Sequence, residues 1–270
     1  LALGLAYALV ALGFVLALNA SGAVNFAHGG LVVLGAAAAV LGDLWTGLPP
    51  SLLLPLVAIA LGGAGILIAR IAILLLLQRP PEATFIATIA VAAVIEQGLT
   101  VMMGGAPRSV PALVGSANQP LAIMGVSALL LVAVWFLLER TQTGRRMRAV
   151  AGDRTMARAV GIAVDRYLIL SLALSGALAG VAGMLLGHQF LVLPTDGGGH
   201  MLRAYIAVAL GGWGSVPGAL LGALGIGVFE TFGSAWLGDV WASAALYIAV
   251  LVVLSLRPQG LFGEPVGRRA

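Results

Sequence analysis

The sequence contains no cysteine and no lysine. Without cysteine there is no disulfide, no thiol nucleophile and no thiolate metal site. Without lysine there is no phosphate-binding loop of the form G-x-x-x-x-G-K-[ST], because the ammonium group that reaches the phosphates is missing. Any ATP chemistry must therefore belong to another chain. Charge is scarce: Asp, Glu, Lys and Arg together make up 9% of 270 residues, with 14 arginines against 10 acids. Aromatic residues are only 6%, too few for a broad ring-lined binding platform. The three histidines, His28, His188 and His200, are scattered with no i, i+4 pair, so no metal site is expected.

Apolar residues fill the space that charge leaves. They account for 61% of the chain, and the mean hydropathy is +1.09. A soluble domain is about half apolar and about a quarter charged, so most of this surface is built for lipid. Glycine is abundant, at 38 residues, which suits helices packed closely through small side chains. The chain starts at Leu1 inside an apolar run without Met, so preceding residues are expected to be missing.

A membrane-crossing helix needs about 20 apolar residues. Candidate spans run over 1–18, 24–42, 51–77, 83–104, 121–138, 167–190 and 240–256. The run 203–232 is too long for one span, and "GGWGSVPG" (211–218) breaks it. It reads as a half-helix, 203–211, a turn, and a full helix, 217–233. Irregular backbone at membrane depth survives only inside protein or beside a water-filled cavity, so a broken or re-entrant segment is expected near 203–218. "NASGAVNFAHGG" (19–30) is a second interruption. The fold class is all-α and polytopic, with eight or nine membrane elements in one domain spanning 1–270.

Arginine sets the orientation. Arg140, Arg145, Arg146, Arg148, Arg154, Arg158 and Arg166 lie between the fifth and sixth spans, which places the loop 139–166 in the cytoplasm. Arg79 and the C-terminal Arg257, Arg268 and Arg269 fall on the same side only if 203–232 contributes two passes. The N-terminus then lies outside. The basic balance is thus a topology signal, and no nucleic-acid partner is expected.

The loop itself reads as two short helices hinged near Gly152, a cytoplasmic helix pair. Met147, Val150 and Ala151 form one apolar face, and Ala157, Val160 and Ile162 another, with arginines around them. A solvated linker with incidental helicity would have a similar charge. Small apolar residues ringed by charge also suit docking into a partner's groove.

Four blocks carry a resemblance: "YALVALGFVLALNASGAVNFAHG" (7–29), "TGRRMRAVAGDRTMARAVGIAVDR" (143–166), "LGGWGSVPGALLGALGIGVFE" (210–230) and "LRPQGLFG" (256–263). In this order they resemble the branched-chain amino acid permeases of ABC importers, of the LIV-H type. The resemblance implies a transmembrane subunit that works by alternating access. Two cytoplasmic ATPase subunits would carry ATP and Mg, so this chain needs no cofactor of its own. A second homologous permease, or a copy of this one, and an external substrate-binding protein would complete the importer in the plasma membrane of a bacterium or archaeon. The resemblance also implies that Arg148, Ala149, Asp153, Ala157, Gly161 and Ile162 form the ATPase-coupling element. Relatives of this type also carry urea, short amides and other amino acids.

Polar residues inside spans tend to mark transport paths. Asn25 and His28, three apart, share a face if helical, and Glu96 and Gln97 stand in the fourth span. All four are candidates for the translocation path. The alternatives are a buried polar pair that satisfies the broken backbone at 19–30, and a glutamate snorkelling toward the external end. The family often has an acidic residue where this chain has Gly30. Asp196, His200 and Arg203 are charged candidates in an external segment 188–203, and Glu230 is expected near the external surface. Two rival functions remain at this point. One is a secondary transporter with no ATPase. The other is an intramembrane hydrolase with Ser175 as nucleophile and His28 or His188 as base; no catalytic residue is assigned.

Overall fold

The computed structural model describes residues 1–77, 79–114, 118–257 and 259–261. Arg268 and Arg269, and the end of the "LRPQGLFG" block, lie outside the described residues. The elements are α1 (Ala2–Ser21), α2 (Ala27–Thr46), α3 (Pro50–Ile68), α4 (Pro81–Met103), α5 (Gln119–Arg140), α6 (Gln142–Gly152), α7 (Arg154–Ala159), α8 (Val164–Leu186), α9 (Gly197–Gly211), α10 (Val216–Leu237) and α11 (Asp239–Leu256). A π turn at Ala69–Ile73 and a 3₁₀ turn at Leu74–Leu76 extend α3. Eight of these helices are long and apolar enough to cross a membrane.

The helices sort into a centre and a shell. In α1, α2 and α8 most of the apolar stretch is buried, whereas α4, α5 and α11 bury little of theirs. Small residues allow the central helices to touch backbone to backbone. At Gly183 of α8 an added Cβ would overlap the Val32 carbonyl of α2. In lipid, where apolar side chains gain little from leaving the solvent, such close packing supplies much of the helix association.

Two of the helices begin inside the bundle. The His28 ring, in the first turn of α2, is 2.9 Å from the Val10 carbonyl and edge-on to Phe14. The start of α2 is therefore level with the middle of α1, and residues 22–26 turn back from the end of α1 to reach it. The first residue of α9 packs on the same level: an added Cβ at Gly197 would lie 3.2 Å from the Gly30 amide nitrogen. Residues 188–196 thus run inward from the end of α8, and α9 covers the remaining depth. Its 15 residues reach about 22 Å, less than the roughly 30 Å core.

The half-helix is thus present, but it starts at Gly197 rather than at 203, and the interior interruption precedes it. The turn 212–215 is not at mid-depth. It meets the last turn of α1, where the Asn19 side-chain amide donates to the Gly214 carbonyl at 3.0 Å. Ser215 then caps α10 by accepting from the Gly218 N–H at 3.1 Å.

Candidate functional site

The four sequence blocks converge at one end of the bundle. Asn19 of the first reaches Gly214 of the third. Arg154 of the second lies over Gly22, close enough that a Cβ there would strike its guanidinium. Partial burial pulls the Arg154 pKa below its ordinary value. From the fourth, the Leu261 N–H donates to the Leu210 carbonyl of α9 at 2.7 Å.

The helix pair α6–α7 roofs this end. Thr141 starts α6 by accepting from the Gly144 N–H at 3.0 Å, and α6 packs against α5 and α8. Asp153 separates the two helices; its Oδ1 caps α7 by accepting from the Thr155 and Met156 amides at 2.8 and 3.0 Å. The other end of α7 closes in a left-handed glycine motif. Gly161 has φ +80, its N–H donates to Arg158, and the Ile162 N–H donates to Ala157 at 3.0 Å.

The apolar faces do not divide as the sequence reading had them. Met147 and Val150 are buried against the bundle, and so is Ala157, while Ala151 is exposed. Ala157 therefore offers no surface to a partner. The outward apolar residues are Met156 and Val160, four apart on α7, 66% and 75% exposed. The apolar pattern of the loop alone does not single out Met156; its i, i+4 spacing to Val160 is the signal that could. Around them lie exposed Ala149, Gly161 and Arg158. Arg148 pairs with Glu139, both about half exposed, so that pair contributes little to stability. Shallow clefts on this face are lined by Arg145, Arg146, Ala149, Ile162 and Arg166. Beneath α6 a cavity of 330 Å³ runs between α1, α5 and α10, with Leu16, Asn19, Trp135, Met147, Gly214 and Leu220 on its walls.

The four path candidates separate. Asn25 is buried and folds the chain into α2: its Oδ1 accepts from the Ala27 N–H at 3.1 Å. His28 is 0% exposed. The Val10 carbonyl can only accept, so Nε2 carries the proton and Nδ1 accepts from the Ser175 hydroxyl at 3.2 Å. The imidazole ties α1, α2 and α8 together. A ring so enclosed has no face to offer a passing substrate in this conformation. The same enclosure leaves the Ser175–His28 pair without access for a hydrolytic substrate, since Ser175 is 1% exposed.

Glu96 is different. It is half-buried on α4 and lines a cavity of 530 Å³ between α2, α4 and α9, together with Phe26, Gly30, Ile89, Met201 and Tyr205. A carboxylate at the centre of a span costs about 3 kcal/mol, so its place beside a cavity accords with the expectation for span charges. Gln97 is exposed on α4 and is not among the cavity's lining residues.

Glu230 and Arg203 are not at an external surface. Glu230 is buried, and its Oε1 accepts from Arg203 Nε at 2.8 Å. The guanidinium also sits 5.9 Å from the centre of the Tyr7 ring. This pair bolts the half-helix α9 to α10 and α1.

Comparison with known proteins agrees over nearly the whole chain. Residues 1–255 match the family described as "Branched-chain amino acid transport system / permease component". The chain is 28% identical to the high-affinity branched-chain amino acid transport system permease protein BraD of Pseudomonas aeruginosa, over 98% of this chain and 94% of that one. It is 30% identical to LivH of Salmonella typhimurium, over 97% and 93%, and 30% identical to a probable LivH of Methanocaldococcus jannaschii, over 94% and 88%. Among solved structures, a chain of PsaBC from Streptococcus pneumoniae in complex with Fab shares the fold, with TM-score 0.52 and 15% identity over 95% and 93% of the two chains. The sequence blocks, the all-helical bundle and these matches have one reading: the chain is a multi-span membrane permease and belongs to the branched-chain amino acid transport system permease family.

Proposed function

We propose that this permease imports branched-chain or related amino acids, driven by ATPase subunits that dock on α6–α7. The observation that carries the reading is the helix pair α6–α7: one face is packed on the bundle and the other presents Met156 and Val160 among arginines. A secondary transporter has little reason to build such a handle. The lack of any lysine for a phosphate-binding loop supports an ATP-binding loop, with its Mg, carried by a partner chain. The coupling surface comprises Arg148, Ala149, Asp153, Met156, Val160, Gly161 and Ile162, with Ala157 and Asp153 holding its shape. A second permease completes the path, an external binding protein delivers the cargo, and the helix pair faces the cytoplasm at the plasma membrane.

The mechanism is a two-state equilibrium biased by the motors. ATP-driven closure pushes α7, and Arg154 over Gly22 and Asn19 on Gly214 carry the push to the ends of α1 and α10. The 330 Å³ cavity under α6 is the volume that this motion opens or closes.

The test is co-purification with the cognate ATPases, and ATP-driven leucine uptake in proteoliposomes, for wild type and Met156→Glu/Val160→Glu. The double variant keeps its fold, because both side chains are exposed, and loses ATPase association and uptake. Retention of both by the variant would remove α7 as the coupling surface. Uptake by wild-type permease without any ATPase would sink the ATP-driven reading itself.

A further inference from the structure

Glu96 sits seven residues before Met103, the last residue of α4, which is about 10 Å along the axis and therefore within the hydrocarbon depth. Its carboxylate is not used up by the protein. The described ion pairs are Arg148–Glu139, Arg158–Asp165 and Arg203–Glu230, and no described side-chain hydrogen bond ends on it. One carboxylate oxygen lies beside Gly197, where an added Cβ would come within 2.5 Å. The adjoining cavity is 530 Å³ and walled by Phe26, Ile89, Ala92, Met201 and Leu202. That volume falls within the range of about 300–1,000 Å³ common to small-molecule sites. Among the described residues no cationic side chain lines it.

Glu96 is the only carboxylate on the described lining, Asp196 adds a second negative charge nearby, and the other lining side chains are apolar apart from Tyr205; such a hollow is the complement of an aliphatic ammonium ion. An amino acid with a branched side chain has both parts. We propose that Glu96 recognises the cargo's ammonium group at a site inside this permease, with Phe26, Ile89, Met201 and Leu202 receiving the aliphatic side chain. The proposal rests on the amino-acid importer reading above and adds to it the group that distinguishes an amine from its uncharged or anionic analogues. The competing role for Glu96 is mechanical: a carboxylate near the first turn of a helix steadies it, and α9 starts at Gly197.

The two roles separate by competition. Radiolabelled leucine binding is measured on the permease–ATPase complex in nanodiscs, without the binding protein, for wild type, Glu96→Gln and Glu96→Asp. Isoamylamine, which keeps the ammonium, and 4-methylvalerate, which keeps the carboxylate, serve as competitors. The expected result is that Glu96→Gln weakens leucine at least tenfold and abolishes competition by isoamylamine. Competition by 4-methylvalerate is retained, and Glu96→Asp restores part of the amine effect. Leucine and isoamylamine values within twofold of wild type in Glu96→Gln would overturn the proposal. So would a parallel loss of both competitors, which is the signature of a prop for α9. If wild type imports leucine under ATP yet the complex alone binds none, the site is refuted while the importer reading stands. Absence of ATP-driven leucine uptake by the complete wild-type importer would instead strike the underlying reading.

Discussion

At the residue scale the most consequential contact is Arg203 with Glu230. Glu230 is 7% exposed, and its second carboxylate oxygen has no partner among the described residues. A buried pair of this kind contributes modestly to net stability, because both ions lose hydration. Breaking it by removing one member is costly, about 3–5 kcal/mol, since the other charge is stranded. Arg203→Met is therefore expected to lower the melting temperature of the detergent-purified permease sharply. Arg203→Met/Glu230→Leu is expected to recover most of that loss, because an apolar pair of similar size asks for no hydration. A double variant less stable than the single one would show that the stranded carboxylate is not the cause. His28 belongs to the same scale: its two hydrogen bonds join three helices, and neither partner lies within its own helix. The sequence marks His28 and Glu230 as unusual for a span; it joins Ser175 to His28 only as a rival catalytic pair, not as a structural tie, and nothing in it names Arg203 as the partner of Glu230.

At the scale of elements, α6 and α7 show what patterning can and cannot decide. Asp153 as a cap and Gly161 as a left-handed stop are local signals, and both helix ends fall where those residues require. The inward and outward faces are not local. Met147 with Val150, and Met156 with Val160, are similar apolar pairs at helical spacing. Only the packing of α6 on α5 and α8 buries the first and leaves the second out. The start of α9 was hidden for a related reason. Three consecutive glycines, Gly197 to Gly199, have poor helix propensity, yet the helix starts among them because Gly197 packs closely against Gly29 and Gly30. The division of faces makes a paired prediction. Met147→Ala removes a buried side chain and is expected to lower stability by about 2 kcal/mol, the low end for such a change because Met147 already borders a cavity. Met156→Ala is expected to change stability by less than about 0.5 kcal/mol while weakening ATPase association. Thermal unfolding of each variant and co-purification with the ATPase read the two effects separately. Equal destabilisation by both would mean that α7 is packed as α6 is.

For the whole molecule, the number of crossings decides which surfaces share a compartment. Eight long helices alone would return the chain to the side where it began. The inward run 188–196 followed by α9 is expected to supply a ninth crossing, made of an irregular half and a helical half. With it, α1 and α11 end on one side, where Asn19 meets Gly214 and Leu261 meets Leu210. In the proposed orientation, which the arginine content favours, that side is cytoplasmic, so α6–α7 and the 212–215 turn are expected to face the same compartment. The absence of cysteine gives a clean background for single-cysteine labelling with a membrane-impermeant maleimide in intact and inverted vesicles. Arg158→Cys and Trp213→Cys, both exposed, are expected to react only when the cytoplasmic face is accessible. Gln189→Cys and Trp45→Cys, also exposed, are expected to react only from the opposite face. Labelling of Arg158→Cys and Trp213→Cys from opposite sides would remove the ninth crossing. The push from α7 to the 212–215 turn would then have no route, because coupling through Arg154 and Asn19 requires both to lie at one end of the bundle.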